Sequence, residues 1–211
     1  MSQLASAQDV FQTGQTARNY NYIQLTYLVN RRKYELPILL NAQISINQNF
    51  TLLGEFVSFD ETNQETASNG VLLDFKGKDT IARAGLGFHL ASKRWSRIDW
   101  FSELLFEQYK SNVTVVGTAV AIPPATQNVT STQSRKTDSK SIVARLGVRG
   151  SITPVFEVQA AVSTAYTDED FYAEQLNITA VYRVTSQIDV AISALDATDN
   201  PNYNFGFRYN W

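Results

Sequence analysis

Apolar and polar residues alternate along almost the entire sequence, and this period of two is the feature that most limits how the chain can fold. The alternation is most regular in the last ten residues, NYNFGFRYNW, where every second residue is aromatic: Tyr203, Phe205, Phe207, Tyr209 and Trp211. Successive side chains of a β-strand point to opposite faces, whereas a helix repeats every 3.6 residues. Because segments with a helical period are missing, the sequence predicts an all-β protein.

Ten segments of this kind lie between residues 20 and 211, and the connections between them alternate in length. Those near residues 48, 93, 153 and 186 are short, whereas those near 65, 123 and 199 are longer and polar or contain proline. An even strand count with short turns at one end and long loops at the other is typical of transmembrane barrels. We therefore predict a single antiparallel up-and-down transmembrane β-barrel over residues 19–211. An eight-stranded barrel is the alternative if the first or the last pair of segments is not formed by strands.

Residues 1–18 precede the first predicted strand and are expected to form a flexible N-terminal segment. Within them, Ala5, Ser6 and Ala7 form a small-residue box of the kind that signal peptidase cleaves. No positively charged region and no apolar core come before this box. We therefore expect either the remnant of a signal peptide or a tail with a chance match.

One face of every predicted strand is apolar, with Tyr, Phe and Trp near the strand ends. Hydrophobic residues make up 44% of the chain, yet the mean hydropathy is −0.21. No run of about 18 apolar residues exists to form a membrane helix. A closed barrel instead exposes every second residue to lipid and pairs all of its backbone amides. The apolar faces are therefore predicted to contact lipid, with the aromatic rings at the level of the headgroups.

The opposite face carries arginine and carboxylate side chains, and small residues such as Gly85, Gly147 and Ala191 lie between them. The ten charged positions are Glu55, Arg83, Glu103, Glu107, Arg145, Arg149, Glu157, Arg183, Asp189 and Arg208. Five arginines against five acids favour a cross-strand network of ion pairs over an ion-selective field. We expect this lumen charge network to fill and close the barrel.

Composition excludes several classes of function. The formal net charge is −2, so nothing favours binding to nucleic acid. The absence of cysteine excludes thiolate metal sites, catalytic cysteine and disulfides, and a single histidine, His89, excludes histidine-rich metal sites. We therefore predict no cofactor and no metal.

The chain resembles the small outer-membrane β-barrel proteins of Gram-negative bacteria over about residues 19–211. In that family the last strand alternates aromatic and apolar residues and ends on Phe or Trp, and the positions from Tyr203 to Trp211 match this pattern. The tract YIQLTYLVN also resembles the first strands of porin-like barrels. The resemblance implies an outer-membrane location with extracellular loops, contact with lipid and lipopolysaccharide, and recognition of the final strand by the barrel assembly machinery.

Two enzyme families with related barrels fit the sequence poorly. The omptin proteases need an Asp–His pair near the outer rim, but His89 is expected beside a short periplasmic turn. Outer-membrane lipid A deacylases use a His–Ser pair, and the segment FHLASKR places Ser92 three residues after His89. Residues three apart point to opposite faces of a strand, so proton transfer between them would need a bend. We expect His89 to be a lumen residue bonded to a charged neighbour, and we predict no enzyme.

The remaining candidates are a structural, adhesive or accessory protein that acts through its loops, which we favour, and a narrow diffusion pore for small solutes. The long connection at residues 112–135 contains the apolar stretch VTVVGTAVAIPP. This stretch is a candidate partner loop for an envelope protein or lipopolysaccharide, with Thr118, Val120, Ile122, Pro123 and Pro124 at its tip. The alternative, which we favour, is that residues 113–120 extend the fifth strand above the membrane until Pro123 and Pro124 end it.

Overall fold

The computed structural model describes residues 21–29, 34–67, 71–91, 97–119, 129–167, 171–195 and 202–211. These residues form ten strands: β1 (Tyr22–Val29), β2 (Tyr34–Ser45), β3 (Phe50–Thr66), β4 (Leu72–Ala91), β5 (Ile98–Ala119), β6 (Val129–Thr153), β7 (Phe156–Thr167), β8 (Phe171–Arg183), β9 (Ile188–Leu195) and β10 (Asn202–Asn210). The prediction of an all-β fold with ten strands is confirmed, and the eight-stranded alternative is wrong. The predicted N-terminal segment, including Ala5 to Ala7, lies outside the described residues.

The sheet closes on itself. Each strand pairs antiparallel with its neighbours in the sequence, and β1 completes the ring by pairing with β10. This closing register runs from Tyr22 opposite Asn210 to Val29 opposite Tyr203. Closure leaves no sheet edge, so the backbone amides of the wall are bonded within the protein, as a lipid environment requires.

The two faces of the wall divide the residues as the alternation predicts. Large apolar side chains are exposed on the outside, among them Trp100, Leu104 and Leu146, with exposed fractions of 55%, 59% and 66%. The alternate positions of the same strands are buried inside the barrel, for example Phe101 and Glu103. A soluble protein would bury the first set, so the outer surface of this barrel is suited to a bilayer.

The strands differ widely in length, and the difference is concentrated on one side of the barrel. β1, β9 and β10 have 8, 8 and 9 residues, whereas β3 to β6 have 17, 20, 22 and 25 residues. Residues 60–66, 72–80, 108–119 and 129–140 therefore continue as a four-stranded antiparallel sheet beyond the apolar band, and we call this part the projecting sheet.

The projecting sheet overturns part of the predicted loop assignment. The connections near residue 65 and at residues 112–135 were expected to be loops, apart from the favoured strand extension over 113–120, yet nearly all of their residues that the structure describes are paired strand residues. The favoured interpretation that residues 113–119 extend the fifth strand is confirmed. Polar residues with a period of two are compatible with a solvated sheet, because antiparallel pairing satisfies the backbone whatever the side chains are.

The other end of the barrel is closed by short turns with local hydrogen bonds. Asn47 Oδ1 accepts hydrogen bonds from the backbone N–H groups of Asn49 and Phe50, both at 2.9 Å. Thr185 Oγ1 accepts in the same way from Gln187 at 3.2 Å and from Ile188 at 3.0 Å. Asn and Thr side chains stabilise such turns by replacing a backbone acceptor. Short turns of this kind mark the periplasmic end of outer-membrane barrels.

Candidate functional site

The centre of the lumen holds five charged side chains in one connected group. Arg145 Nη1 lies 3.0 Å from Glu55 Oε1 and 2.6 Å from Glu103 Oε2, and its Nη2 lies 3.4 Å from Glu55 Oε2. Arg83 Nη1 bonds Glu55 Oε2 at 3.0 Å, and its Nε bonds Glu107 Oε2 at 2.6 Å. Glu55 therefore forms ion pairs with two guanidinium groups, and that of Arg145 contacts it through both terminal nitrogens.

This central group crosses the lumen. Glu55 lies on β3 and Arg145 lies on β6, two strands that do not pair with each other. The contact between them therefore bridges the interior instead of following the wall. Ser141 extends the group by donating a 2.7 Å hydrogen bond to Glu107 Oε1. Because the side chains are largely buried, loss of one partner would leave a charge without compensation.

The other predicted charges lie outside this central group. Arg149 Nε is 3.3 Å from Glu157 Oε1, and Arg183 Nε is 3.6 Å from Asp189 Oδ1. Arg208 differs from the prediction of Arg–carboxylate pairing, because its described contacts are with Gln24 Oε1 at 3.0 Å and with the ring of Tyr22, 4.1 Å from its centroid. The structure thus brings nine of the ten predicted residues into ion pairs and places Arg208 against an amide and an aromatic ring.

Asp189 faces Arg208 across two paired strands but bonds a different residue. Asp189 stands opposite Arg208 in the register, but its Oδ2 accepts a 2.9 Å hydrogen bond from Asn210. The guanidinium of Arg208 instead lies over Tyr22, a geometry in which the ring quadrupole stabilises the cation. Sequence reasoning missed Gln24 and Tyr22 because charge counting considers only acids as partners of arginine.

His89 lies at the short-turn end of the lumen, where its ring contacts the side chains of Gln43 and Thr51. Its Nε2 is 3.1 Å from Gln43 Nε2 and 3.0 Å from Thr51 Oγ1, and all three side chains are buried. An amide nitrogen only donates, so His89 Nε2 accepts this bond. These two hydrogen-bond partners are neutral, and the charged neighbour that the sequence suggested stays a prediction. Ser92 lies outside the described residues.

An apolar cluster also fills part of the lumen. Leu53, Leu105 and Val143 are 7%, 0% and 4% exposed and pack against one another. The sequence predicted that charged side chains alone close the barrel lumen, although these three apolar residues also occupy inward positions in the same alternation. Glycine makes further room, because a Cβ on Gly147 would clash with the ring of Phe101 and lie 2.6 Å from the carbonyl oxygen of Ala160.

A cavity of about 1090 Å³ remains in the lumen beside these groups. Four of the central charges, Glu55, Arg83, Glu107 and Arg145, line it together with uncharged polar side chains such as Gln24, Asn41 and Asn177. It reaches up to Tyr109 and to residues 137–141 of β6, on the side of the projecting sheet. His89, Phe101 and Arg149 are not among the residues that line it.

Tyr109 marks the transition from the lumen to the projecting sheet. Its hydroxyl donates a 3.1 Å hydrogen bond to Asp79 Oδ2. Burial raises the pKa of the Tyr109 phenol, and the nearby Asp79 carboxylate raises it further. The phenol therefore remains a neutral donor at physiological pH.

The projecting sheet has two different faces. The face that continues the lumen carries the half-buried side chains of Leu73, Phe75, Val113 and Val115, and we call it the lumen-side face. Phe75 stands opposite Val115, and a Cβ at Gly117 would lie 3.5 Å from Leu73 Cδ2. The opposite, outward face is mainly polar and charged. The apolar patch of the lumen-side face was missed, although alternation in residues 72–76 and 112–116 already signals it.

The predicted partner loop is only partly described. Thr118 lies in β5 opposite Leu72 of β4 and Thr130 of β6, so it belongs to the projecting sheet and not to a free hairpin tip. Val120, Ile122, Pro123 and Pro124 lie outside the described residues.

The final strand contributes directly to the outer surface. Its five aromatic side chains are all exposed, with values of 52%, 38%, 49%, 49% and 49% for Tyr203, Phe205, Phe207, Tyr209 and Trp211. The outside of this closed wall is apolar, and its inside is polar and charged. Such a wall is suited to lipid on the outside and to water or side chains on the inside. The chain is a closed ten-stranded β-barrel of the membrane-spanning type. Its long strands project beyond the apolar band at one end.

Several solved structures of β-barrels are similar to this chain in fold. No family model matches the chain, and no curated protein matches it. Ail, the attachment invasion locus protein of Yersinia pestis, is 14% identical, with 90% of this chain and 94% of that chain covered and a TM-score of 0.37. The KdgM porin is 10% identical, with 90% and 99% covered and a TM-score of 0.42. The transport unit of the autotransporter AIDA-I from Escherichia coli is 8% identical, with 98% and 97% covered and a TM-score of 0.46.

Within the described ranges, no group of three or more His, Asp or Glu side chains could hold a metal ion. Among the same residues there is no helix long and apolar enough to cross a membrane.

Proposed function

We propose that this outer-membrane barrel is a non-enzymatic surface-interaction protein whose binding surface is the projecting sheet. The observation that carries the proposal is the lumen-side face of that sheet. Four apolar side chains, Leu73, Phe75, Val113 and Val115, form a patch on a solvated sheet beyond the lipid band. Exposed apolar patches rimmed by polar residues commonly mark sites of protein contact. The partner is expected to be an envelope or extracellular protein that supplies apolar side chains.

The length of the strands supports the same assignment. A barrel whose only task is to span the membrane needs strands of about 9–11 residues. β5 and β6 have 22 and 25 residues, so roughly half of each is devoted to the projecting sheet. Loops and edges carried on a rigid scaffold are where binding residues concentrate.

The test compares variants of the two faces in pull-down from outer membranes. Phe75→Ser with Val115→Ser is expected to abolish partner capture, because both changes remove apolar contact from the lumen-side face. Val116→Ser on the outward face is the matched control and is expected to bind normally. Deleting Thr118–Thr130 is expected to leave the barrel folded and to weaken capture. Equal capture by the wild type and the double variant would refute the patch as the binding site.

A narrow diffusion pore is the second candidate, and the lumen cavity favours it. About 1090 Å³ of space, lined by both polar and apolar side chains, could admit small solutes. We rank it lower because the central ion pairs, the Leu53 cluster and Phe101 occupy the rest of the cross-section. Planar-bilayer recording separates the two functions.

We also propose that the final strand is the signal for the barrel assembly machinery. The aromatic positions from Tyr203 to Trp211 and the pairing of β10 with β1 support this role. Trp211→Ala is expected to lower the amount of assembled barrel in cells while refolding in detergent stays normal. Equal loss in both assays would indicate a purely structural role for Trp211.

A further inference from the structure

Arg208 is a buried cation whose terminal nitrogens are not engaged by the protein. The residue is 7% exposed. Its Nε donates a 3.0 Å hydrogen bond to Gln24 Oε1, and the ring of Tyr22 covers the guanidinium with its centroid 4.1 Å away. Among the described residues, neither Nη1 nor Nη2 of Arg208 bonds an acceptor. A buried guanidinium without an anionic partner has a large desolvation penalty.

The neighbouring acids are paired with other groups. Asp189, which stands opposite Arg208 in the register, accepts a 2.9 Å hydrogen bond from Asn210 and lies 3.6 Å from Nε of Arg183. The carboxylates of the central group form their ion pairs with the two arginines of that group. No described carboxylate therefore lies within ion-pair distance of Arg208.

Arg208 lines the lumen cavity of about 1090 Å³. On the half of the wall that runs from β7 through β10 to β2, every other described residue that lines the cavity is uncharged. Pockets for small ligands commonly have volumes of about 300–1,000 Å³, so the cavity is large enough for a small organic molecule. Arg208 thus presents a cation to a space that neutral side chains bound on this half.

The groups around Arg208 also fix the orientation of its guanidinium. Tyr22 covers one face, and Gln24 bonds the edge that carries Nε. Gln24 is itself held in place, because its Nε2 donates a 2.9 Å hydrogen bond to Thr26 Oγ1, and all three of these residues are buried. The edge that carries Nη1 and Nη2 is left for a ligand. Two parallel N–H donors in a plane match the two oxygens of a carboxylate.

Hydroxyl and amide side chains form the polar part of the cavity wall on β7 to β9. Thr179 Oγ1 donates a 3.1 Å hydrogen bond to Ser193 Oγ, and Asn177 Nδ2 donates a 3.3 Å hydrogen bond to Ser163 Oγ. Both serines accept in these bonds, so their own O–H groups remain available as donors. A hydroxylated molecule can bond such groups, whereas an alkyl chain would leave them without partners.

We propose that the lumen cavity is a binding pocket for a small hydroxylated carboxylic acid. Its carboxylate pairs with the terminal nitrogens of Arg208, and its hydroxyl groups bond the uncharged wall of β7 to β9. The ligand enters from the side of the projecting sheet, because the cavity reaches Tyr109 and residues 137–141 there. This inference goes beyond the proposed function and does not depend on it, since the apolar patch of the lumen-side face does not line the cavity.

The test is isothermal titration calorimetry of the refolded barrel with four probes: gluconate, sorbitol, hexanoate and inorganic phosphate. Gluconate has a carboxylate and hydroxyl groups, sorbitol has only the hydroxyl groups, and hexanoate has only the carboxylate. Gluconate is expected to bind, and the other three probes are expected to bind at least roughly tenfold more weakly. Arg208→Gln is expected to weaken gluconate binding on the order of a hundredfold, since two charged hydrogen bonds are lost and each contributes roughly tenfold. Arg208→Lys keeps the charge but not the fork, and a loss of roughly tenfold is expected.

A second variant tests the uncharged wall without changing Arg208. Thr179→Val with Ser193→Ala removes two hydroxyl groups that bond each other, and it is expected to weaken the binding of gluconate but not of hexanoate. Arg183→Gln is the control with normal binding, because Arg183 is 46% exposed and does not line the cavity. Circular dichroism and heat modifiability on gels check that each variant is folded.

Four results would overturn the pocket. They are the absence of gluconate binding to the wild type at millimolar concentration, equal binding of gluconate and sorbitol, wild-type affinity for gluconate in Arg208→Gln, and wild-type affinity in the variant of Thr179 and Ser193. Binding of inorganic phosphate as tight as that of gluconate would show a general anion site and overturn the assignment of a carboxylic acid.

Discussion

Among single residues, Arg145 is the cation that joins two buried carboxylates in the centre of the lumen. It bonds both Glu55 and Glu103, whose side chains are only 6% and 5% exposed. A buried carboxylate without a cation pays a large desolvation penalty. Arg145 therefore stabilises two acids that would otherwise repel each other in the lumen.

Replacing Arg145 with methionine is expected to lower the free energy of unfolding by about 3–5 kcal/mol, because two buried carboxylates lose their common partner. Urea unfolding of the refolded barrel in vesicles measures the change. Adding Glu55→Gln and Glu103→Gln to the same variant is expected to restore part of the stability. Arg183→Met is the control, since its side chain is 46% exposed and its pairing contributes little. A methionine variant as stable as the wild type would contradict this account of the network.

Gly147 and Gly54 provide a second residue-scale comparison. A Cβ on Gly147 would meet the Phe101 ring and the Ala160 backbone, whereas a Cβ on Gly54 has nothing within 4 Å. Gly147→Ala is expected to destabilise the barrel by about 1–3 kcal/mol through overpacking, and Gly54→Ala is expected to be neutral. Urea unfolding midpoints of the two variants measure the difference. Identical midpoints would show that Phe101 has space to move.

At the scale of elements, the sequence predicts the strands and their faces well but does not reveal where the membrane ends. Ten segments could be found because alternation marks each strand and its lipid-facing side. The projecting sheet could not be delimited, since Lys76, Asp74 and Asn112 alternate with apolar residues just as lumen residues do. Turn-forming residues in 60–70 favoured a loop there, but residues 60–66 pair with β4 as a strand.

The same limit applies to the contacts inside the lumen. Inward positions follow from the period of two, so the ten charges could be placed on one face. Their partners could not, because Arg145 and Glu55 are 90 residues apart on strands that do not pair. That contact depends on the stagger between the strands of the closed barrel, and this stagger cannot be read from the sequence. The neutral partners of Arg208 and His89 were missed because amide and hydroxyl groups carry no charge pattern.

The orientation of the elements can be tested with single cysteines, since the chain contains none. Asn112→Cys in the projecting sheet is expected to react with a membrane-impermeant maleimide on intact cells. Leu104→Cys faces lipid and is expected to stay unlabelled, and Gln187→Cys in a short turn is expected to react only after the outer membrane is opened. Labelling of Gln187→Cys on intact cells would place the short turns outside and contradict the orientation.

At the scale of the whole molecule, the barrel wall and the projecting sheet are expected to have different roles. The lipid-facing band and the pairing of β1 with β10 form the closed wall of the barrel. We propose that the lumen side chains restrict passage through it. The projecting sheet is the one part of the described structure whose length exceeds what a bilayer needs. A closed lumen beneath a binding surface is therefore the central claim.

Conductance across a planar bilayer tests this claim most directly. The refolded wild-type barrel is expected to show small or no current, and a variant with Arg145→Ala and Arg149→Ala is expected to conduct more, because its lumen loses two large side chains. Arg183→Ala is the control that leaves the central group intact. Large and stable open-channel currents from the wild-type protein would contradict the account and favour the diffusion pore.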